Sequence, residues 1–164
     1  MYELWENGVR VMLIGIVATM VFDLWLQLLK ALKVPSLNFA YLGRWVGHGW
    51  RGTWRHAAIA KAEPIRGELL LGWVAHYAIG IVFAALLVGA CGLAWAHEPS
   101  LAPALVFGVL SVAAPLFVMQ PAMGAGFASS RTPTPARNCI KSVVNHGVFG
   151  LALYAATVAT AALF

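Results

Sequence analysis

Polar residues are so sparse along this chain that the gaps between them delimit its elements. Four apolar stretches each approach the ~20 residues that a helix needs to cross the hydrocarbon core of a bilayer. The first runs from about Val9 to Leu29 and the second from about Leu69 to Leu93. The third runs from about Leu101 to Gln120 or beyond, and the last from Ile140 to Leu163. A helix satisfies its backbone groups without water, whereas an open strand in lipid leaves an edge bare, so all four stretches are expected to be helical.

The intervening segments have a pattern of their own. Between about residues 30 and 67 the chain carries Phe39, Tyr41, Trp45, Trp50 and Trp54 interleaved with Arg44, Arg51 and Arg55. Rings at headgroup level and cations on lipid phosphates are what a membrane interface selects, so short interfacial helices are expected here, broken around Gly47, Gly49 and Gly52. The RTPTPAR run at Arg131–Arg137 is expected to be a stiff loop. Pro115 should kink the third helix, and Pro121 should loosen its inner end. The expected fold is therefore all-α: a single membrane domain of four transmembrane helices with short interfacial helices in the first loop.

Composition agrees with that frame. Hydrophobic residues make up 61% of the 164 and charged residues only 10%, against roughly 25% in a soluble domain. A soluble fold of this length could not hide so much apolar surface. The net charge of +5 does not point to nucleic acid, because the basic residues gather where topology wants them. Lys30, Lys33, Arg44, Arg51, Arg55, Lys61 and Arg66 fill the first loop, and Arg131, Arg137 and Lys141 fill the third. The AHEPS turn between them has no Lys or Arg. Both basic loops are expected in the cytoplasm, which puts both termini outside. The first segment opens with Glu3 and Glu6 and lacks a basic region and a small-residue cleavage site, so it is expected to be retained. Cys91 and Cys139 should lie toward opposite ends of different helices, too far apart to bridge.

Polar groups inside the spans are the candidate chemistry, since a charge at mid-membrane costs ~2.5–3.5 kcal/mol on insertion scales. Counting along the helices puts Asp23, His76 and His146 at a common depth, roughly 10–12 Å from the inner surface, with Gln120 near that level. Thr19, Asp23 and Gln27 share one helix face at i, i+4 and i+8. Small residues flank both histidines: Gly72, Gly80 and Ala84 beside His76, and Ser142 and Gly150 beside His146. With Asn145 these groups read as one buried polar layer.

Three roles compete for it. The layer can fix helix register through hydrogen bonds. Asp23, His76 and His146 can hold a metal ion, or the histidines a haem, with Met20, Met119 and Met123 as soft ligands, although no close-spaced ligand motif is present. Or Asp and His can relay protons along a transport path. In the basic loop, Arg44, Arg51, Arg55 and His56 can bind a lipid headgroup or another anion, or simply enforce topology. His48 and His56 read otherwise as interfacial polar residues. A short internal echo also runs through the chain. Gly15 and Gln27 share their spacing with Gly108 and Gln120, and His76-x-x-x-Gly80 matches His146-x-x-x-Gly150. Two helical hairpins related by a parallel repeat would produce it. Phosphate-loop, hydrolase, zinc-protease and dinucleotide signatures are absent from the sequence, and GAGFAS at Gly124–Ser129 is read as close packing at a helix end.

Two longer motifs, AEPIRGELLLGWVAHYAIG at Ala62–Gly80 and PLFVMQPAMGAGFASSRTPTP at Pro115–Pro135, resemble domain-of-unknown-function family 2938, as does the last helix with His146. The resemblance covers nearly the whole chain. It implies a small bacterial membrane protein of four helices and carries no activity. The functional expectation is a non-enzymatic inner-membrane protein with periplasmic termini, either a transporter-like bundle or an accessory subunit. Its partners would be lipids, further copies or other membrane subunits. The alternative is a membrane enzyme or a metal- or haem-binding protein built on Asp23, His76 and His146.

Overall fold

A computed structural model describes residues 2–35 and 38–163, with side chains from residue 5 onward. Seven α-helices form among the described residues: α1 (Tyr2–Ala31), α2 (Phe39–Gly49), α3 (Glu68–Cys91), α4 (Leu93–His97), α5 (Leu101–Ser111), α6 (Gln120–Met123) and α7 (Pro135–Ala161). Single 3₁₀ turns cover Ile59–Lys61 and Phe127–Ser129, and a π-helical turn covers Pro115–Met119. Four helical segments are long and apolar enough to span a membrane: Trp5–Ala31, Glu68–Cys91, Leu101–Met123 and Pro135–Ala161. The all-α membrane class follows.

The expected helix ends shift for local reasons. α1 starts earlier than the apolar run because Glu6 and Arg10, one turn apart and 3.6 Å from each other, extend it. The third span is interrupted as its prolines require. Pro115 has no N–H to give, and the backbone widens into the π turn, with Leu116 N–H donating to Val112. α2 runs through Gly47 and Gly49 instead of breaking there. Both glycines are packing positions, facing the Ile65 side chain and the Trp54 ring, and the chain turns at Gly52 with φ +85°.

Packing divides the chain into two compact units. The first comprises Met1–Ser36, Tyr77–Ser111 and His146–Phe164. Its core holds Ile14, Ala18, Ala84, Leu87, Leu153 and Ala156. Phe83 meets Phe107 and Phe149 at ring separations of 6.0 Å, and Phe22 meets Phe149 edge-on at 5.8 Å. Two backbone crossings bring its helices together. A methyl group at Gly15 would fall on the Ile81 backbone, and one at Gly80 on Thr19 Oγ1, which fixes α1 against α3. A methyl group at Gly108 would fall on the Gly150 backbone, which fixes α5 against α7. These four glycines are the ones matched by the sequence echo. Lipid offers no hydrophobic drive between helices, so such close approach supplies the dispersion contact that holds them.

The second unit comprises Leu37–His76 and Val112–Asn145. Asn38 caps α2, its Oδ1 accepting from Ala40 N–H at 3.0 Å. The buried face of α2 packs Leu42 with Ile59 and Met123, flanked by Phe39, Trp45, Ala75 and Met119. Gly43 and Gly72 make a third backbone crossing, since a side chain on Gly43 would meet the Glu68 carbonyl and one on Gly72 the Phe39 carbonyl.

The crossings predict a sharp contrast among alanine substitutions. Gly15→Ala and Gly108→Ala press a methyl against backbone and should each cost about 1–3 kcal/mol. Gly89, with open space around its Cα, should accept alanine without loss. Thermal unfolding in detergent checks this; equal losses at all three positions would contradict it.

Candidate functional site

The first unit holds two paired polar groups on spanning helices. Asp23 lies on α1, only 8% exposed, where Oδ2 accepts from the Tyr77 hydroxyl of α3 at 2.9 Å. His146 of α7 meets Ser111 of α5, with Nδ1 2.7 Å from Oγ. The proton on that contact is fixed by the neighbouring backbone. Ser111 spends its single O–H on the Gly108 carbonyl, at 2.6 Å, so its oxygen can only accept from His146. His146 is thus the Nδ1–H tautomer, and its Nε2 bears the lone pair. Thr19 turns its hydroxyl back on the Gly15 carbonyl at 2.7 Å. Gln27 is exposed and does not join the buried set.

His76, Gln120 and Asn145 belong to the second unit. The His76 ring packs against Phe39 and Trp73, at centroid separations of 4.6 and 5.9 Å. Gln120 Oε1 accepts from the buried Ser129 hydroxyl at 2.9 Å. Ser129 and Ala128 sit at φ +60° and +47°, after Gly124 and Gly126 at +97° and +78°. Left-handed alanine and serine cost of order 1–3 kcal/mol each and persist only where the surroundings over-determine them. Here Cys139 Sγ donates to the Ala128 carbonyl, Thr132 Oγ1 to the Ser129 carbonyl, and Asn138 Nδ2 to Thr132. Asn145 is half-buried.

Among the described residues no three His, Cys, Asp or Glu side chains gather around a point that could hold an ion. Asp23 accepts from a phenol, His146 meets a serine and His76 packs on aromatic rings.

The basic loop also divides by role. Arg44 is withdrawn from the surface at 6% exposure. Nε and Nη2 donate to the two Glu68 oxygens at 2.8 Å, and Nη1 donates to the Ile59 and Ala62 carbonyls at 3.1 and 3.0 Å. Glu68 accepts in addition from Ile65 N–H at 3.0 Å. The hydrogen-bonded carboxylate raises the Arg44 pKa above its ordinary value, against the opposing effect of burial. Arg44 ties α2, the 59–62 turn and α3 together, with Glu68 taking up its fork. Arg51 and Arg55 remain exposed. His56 pairs with His48, Nε2 to Nδ1 at 3.1 Å, and His48 Nε2 contacts the Glu63 carbonyl at 3.0 Å.

With this geometry in place, the whole-chain comparison is decisive: the model of a family described as a protein of unknown function, DUF2938, matches residues 12–160. The chain belongs to DUF2938. No curated protein and no solved structure matches it.

Several groups of this DUF2938 protein were not singled out by its sequence. Tyr77, Ser111, Glu68 and Ser129 each supply the partner of a residue that was. Glu68 carried the clearest signal, as an acid opening an apolar helix just after a basic loop. A cavity of about 320 Å³ lined by Glu6, Asn7, Leu93 and His97 also lies in the first unit, near the buried Arg10.

The ion pair yields a prediction. Arg44→Ala strands a largely buried carboxylate and should destabilise by about 3–5 kcal/mol, whereas Arg44→Met with Glu68→Leu should recover most of that loss. Melting of single and double variants in one detergent decides it; a double variant as unstable as Arg44→Ala would refute the pairing.

Proposed function

We propose that this DUF2938 protein is a small, non-enzymatic, transporter-like bundle of the bacterial inner membrane, and that it moves protons by way of Asp23 and His146. The observation that carries this reading is the pairing of two titratable groups, each on a spanning helix, with hydroxyl groups. Asp23 meets Tyr77 at 2.9 Å and His146 meets Ser111 at 2.7 Å. Hydrogen-bonded chains of carboxylate, imidazole and hydroxyl are the groups along which protons pass inside membranes. An amide would fix helix register as well as Asp23 does, without bringing an ionisable group into lipid. The proline-interrupted third span and the two glycine crossings, Gly15–Gly80 and Gly108–Gly150, resemble the broken helices and repeated hairpins of transporters. On this reading the loops rich in Lys and Arg face the cytoplasm and both termini the periplasm.

The competing role is an accessory subunit in which the same pairs only pack. Reconstitution into liposomes with an internal pH-sensitive dye and a potassium diffusion potential separates the two. Wild-type protein should collapse the imposed gradient faster than empty vesicles. Asp23→Asn should slow it by roughly tenfold or more, equivalent to about 1.4 kcal/mol on the limiting barrier, with helicity and elution unchanged. Wild-type vesicles no faster than empty ones, or an Asp23→Asn protein of full rate, would exclude proton movement through this group.

A further inference from the structure

The second unit contains a histidine pair whose protons the backbone also dictates. The Glu63 carbonyl can only accept, so His48 Nε2 must carry a hydrogen. His48 Nδ1 is then an acceptor, and the hydrogen on the 3.1 Å contact belongs to His56 Nε2. That leaves His56 Nδ1 as a bare lone pair. It is buried, and among the described residues nothing hydrogen-bonds to it.

This arrangement has no tolerance for another proton. A proton added to His56 must go to Nδ1, where the new N–H is buried without an acceptor. A proton added to His48 goes to its Nδ1, which then donates to His56 Nε2. Neutral His56 is forced into its other tautomer, and the N–H again lands on the buried Nδ1. Either route adds a charge to the pair and leaves an unsatisfied donor at the buried His56 Nδ1.

His56 sits where the Trp-rich segment is fastened. Its backbone N–H donates to the Ala122 carbonyl at 2.8 Å. One residue on, the Ala57 backbone packs so tightly on Gly124 that no side chain fits there. Two residues earlier, the Trp54 carbonyl accepts from Trp45 Nε1 at 2.9 Å, and the two indoles meet edge-on at 5.8 Å. The segment so held presents Trp50 and Trp54, 74% and 52% exposed, together with exposed Arg51 and Arg55.

We propose that the His48–His56 pair is a proton-sensitive latch: neutral, it holds the segment from Trp50 to Ala58 against α2 and the Ala122–Gly124 backbone, and protonated, it releases that segment.

The Glu68 carboxylate, whose charge reaches His48, is already held by the Arg44 fork, and among the described residues no carboxylate acts on His56. On α2 the facing titratable group is His48, and Arg44 is bound to Glu68. The stretch from Pro115 to Gly126 has no ionisable side chain. Lys61, Glu63 and Arg66 are exposed in the following segment, as are Arg51 and Arg55 in the latch segment itself. Burial, and then electrostatic interaction with His48, lower the His56 pKa below its ordinary value. The sign follows. The latch is at full strength above the ordinary histidine value of about 6.5 and weakens as pH falls through the lower, latched value. It does not depend on proton movement through Asp23.

Hydrogen–deuterium exchange of the purified full-length protein tests the latch at about pH 7.5 and about pH 5.5, after correction for intrinsic exchange. Protection of the amides from Thr53 to Ala58 should fall by up to roughly tenfold for each pH unit below about 6.5. His56→Gln keeps a donor toward His48 and cannot be protonated, so its protection should not change with pH. His97→Gln should respond like wild type. Unchanged wild-type protection across this range overturns the latch whatever the variants do, and so does an equal loss in His56→Gln. Should His56→Gln fail to fold, His56→Asn carries the same expectation.

Discussion

Inside an apolar bundle every polar group must find its partner within the protein, and this constraint organises both units of the chain. Asp23 takes the Tyr77 phenol, His146 takes Ser111, and Ser129 takes Gln120. Arg44 gives its fork to Glu68 and its remaining amino group to the carbonyls of the 59–62 turn. Where a backbone carbonyl stands at the end of such a chain, it decides where the protons lie. Gly108 does so for His146, and Glu63 does so for His48 and His56. The two settings have opposite consequences. His146 is left with an Nε2 lone pair as a proton acceptor, whereas His56 is left with a buried Nδ1 that cannot accept a proton without losing its place.

Satisfying these groups requires helices closer together than ordinary side chains permit. Glycine crossings provide that approach: Gly15 with Gly80, Gly108 with Gly150, and Gly43 with Gly72. The first brings Thr19 and Asp23 of α1 alongside α3, and the second sets Ser111 within reach of His146. Packing and polar chemistry are therefore coupled through backbone separation. A methyl group at a crossing acts on hydrogen bonds a turn away as well as on van der Waals contact.

The fold was legible because lipid imposes a coarse rule that a linear sequence displays directly. The four spans, the interruption at Pro115 and the glycine echo all came from spacing along one chain. The site was legible in half-pairs. Asp23, His146 and Gln120 stood out as costly groups inside the spans and Arg44 as part of the basic loop, yet Tyr77, Ser111 and Ser129 look ordinary until the helices are brought together. A shared depth for Asp23, His76 and His146 likewise says nothing about which way each side chain turns. Gln27 shares the Asp23 face by periodicity, but it is exposed. His48 and His56 looked like interfacial residues because their pairing depends on the Gly52 turn bringing the chain back onto α2.

Backbone carbonyls fix the protons of the paired histidines, so two different tautomers should coexist in one molecule. Nitrogen-15 NMR of histidine-labelled protein in lipid at neutral pH, with each resonance assigned by single His→Gln substitution, reads them directly. His146 should show an Nδ1–H imidazole, and His48 and His56 should show Nε2–H imidazoles. A single common tautomer for all three, or rapidly averaging rings at His146 and His56, would contradict this assignment.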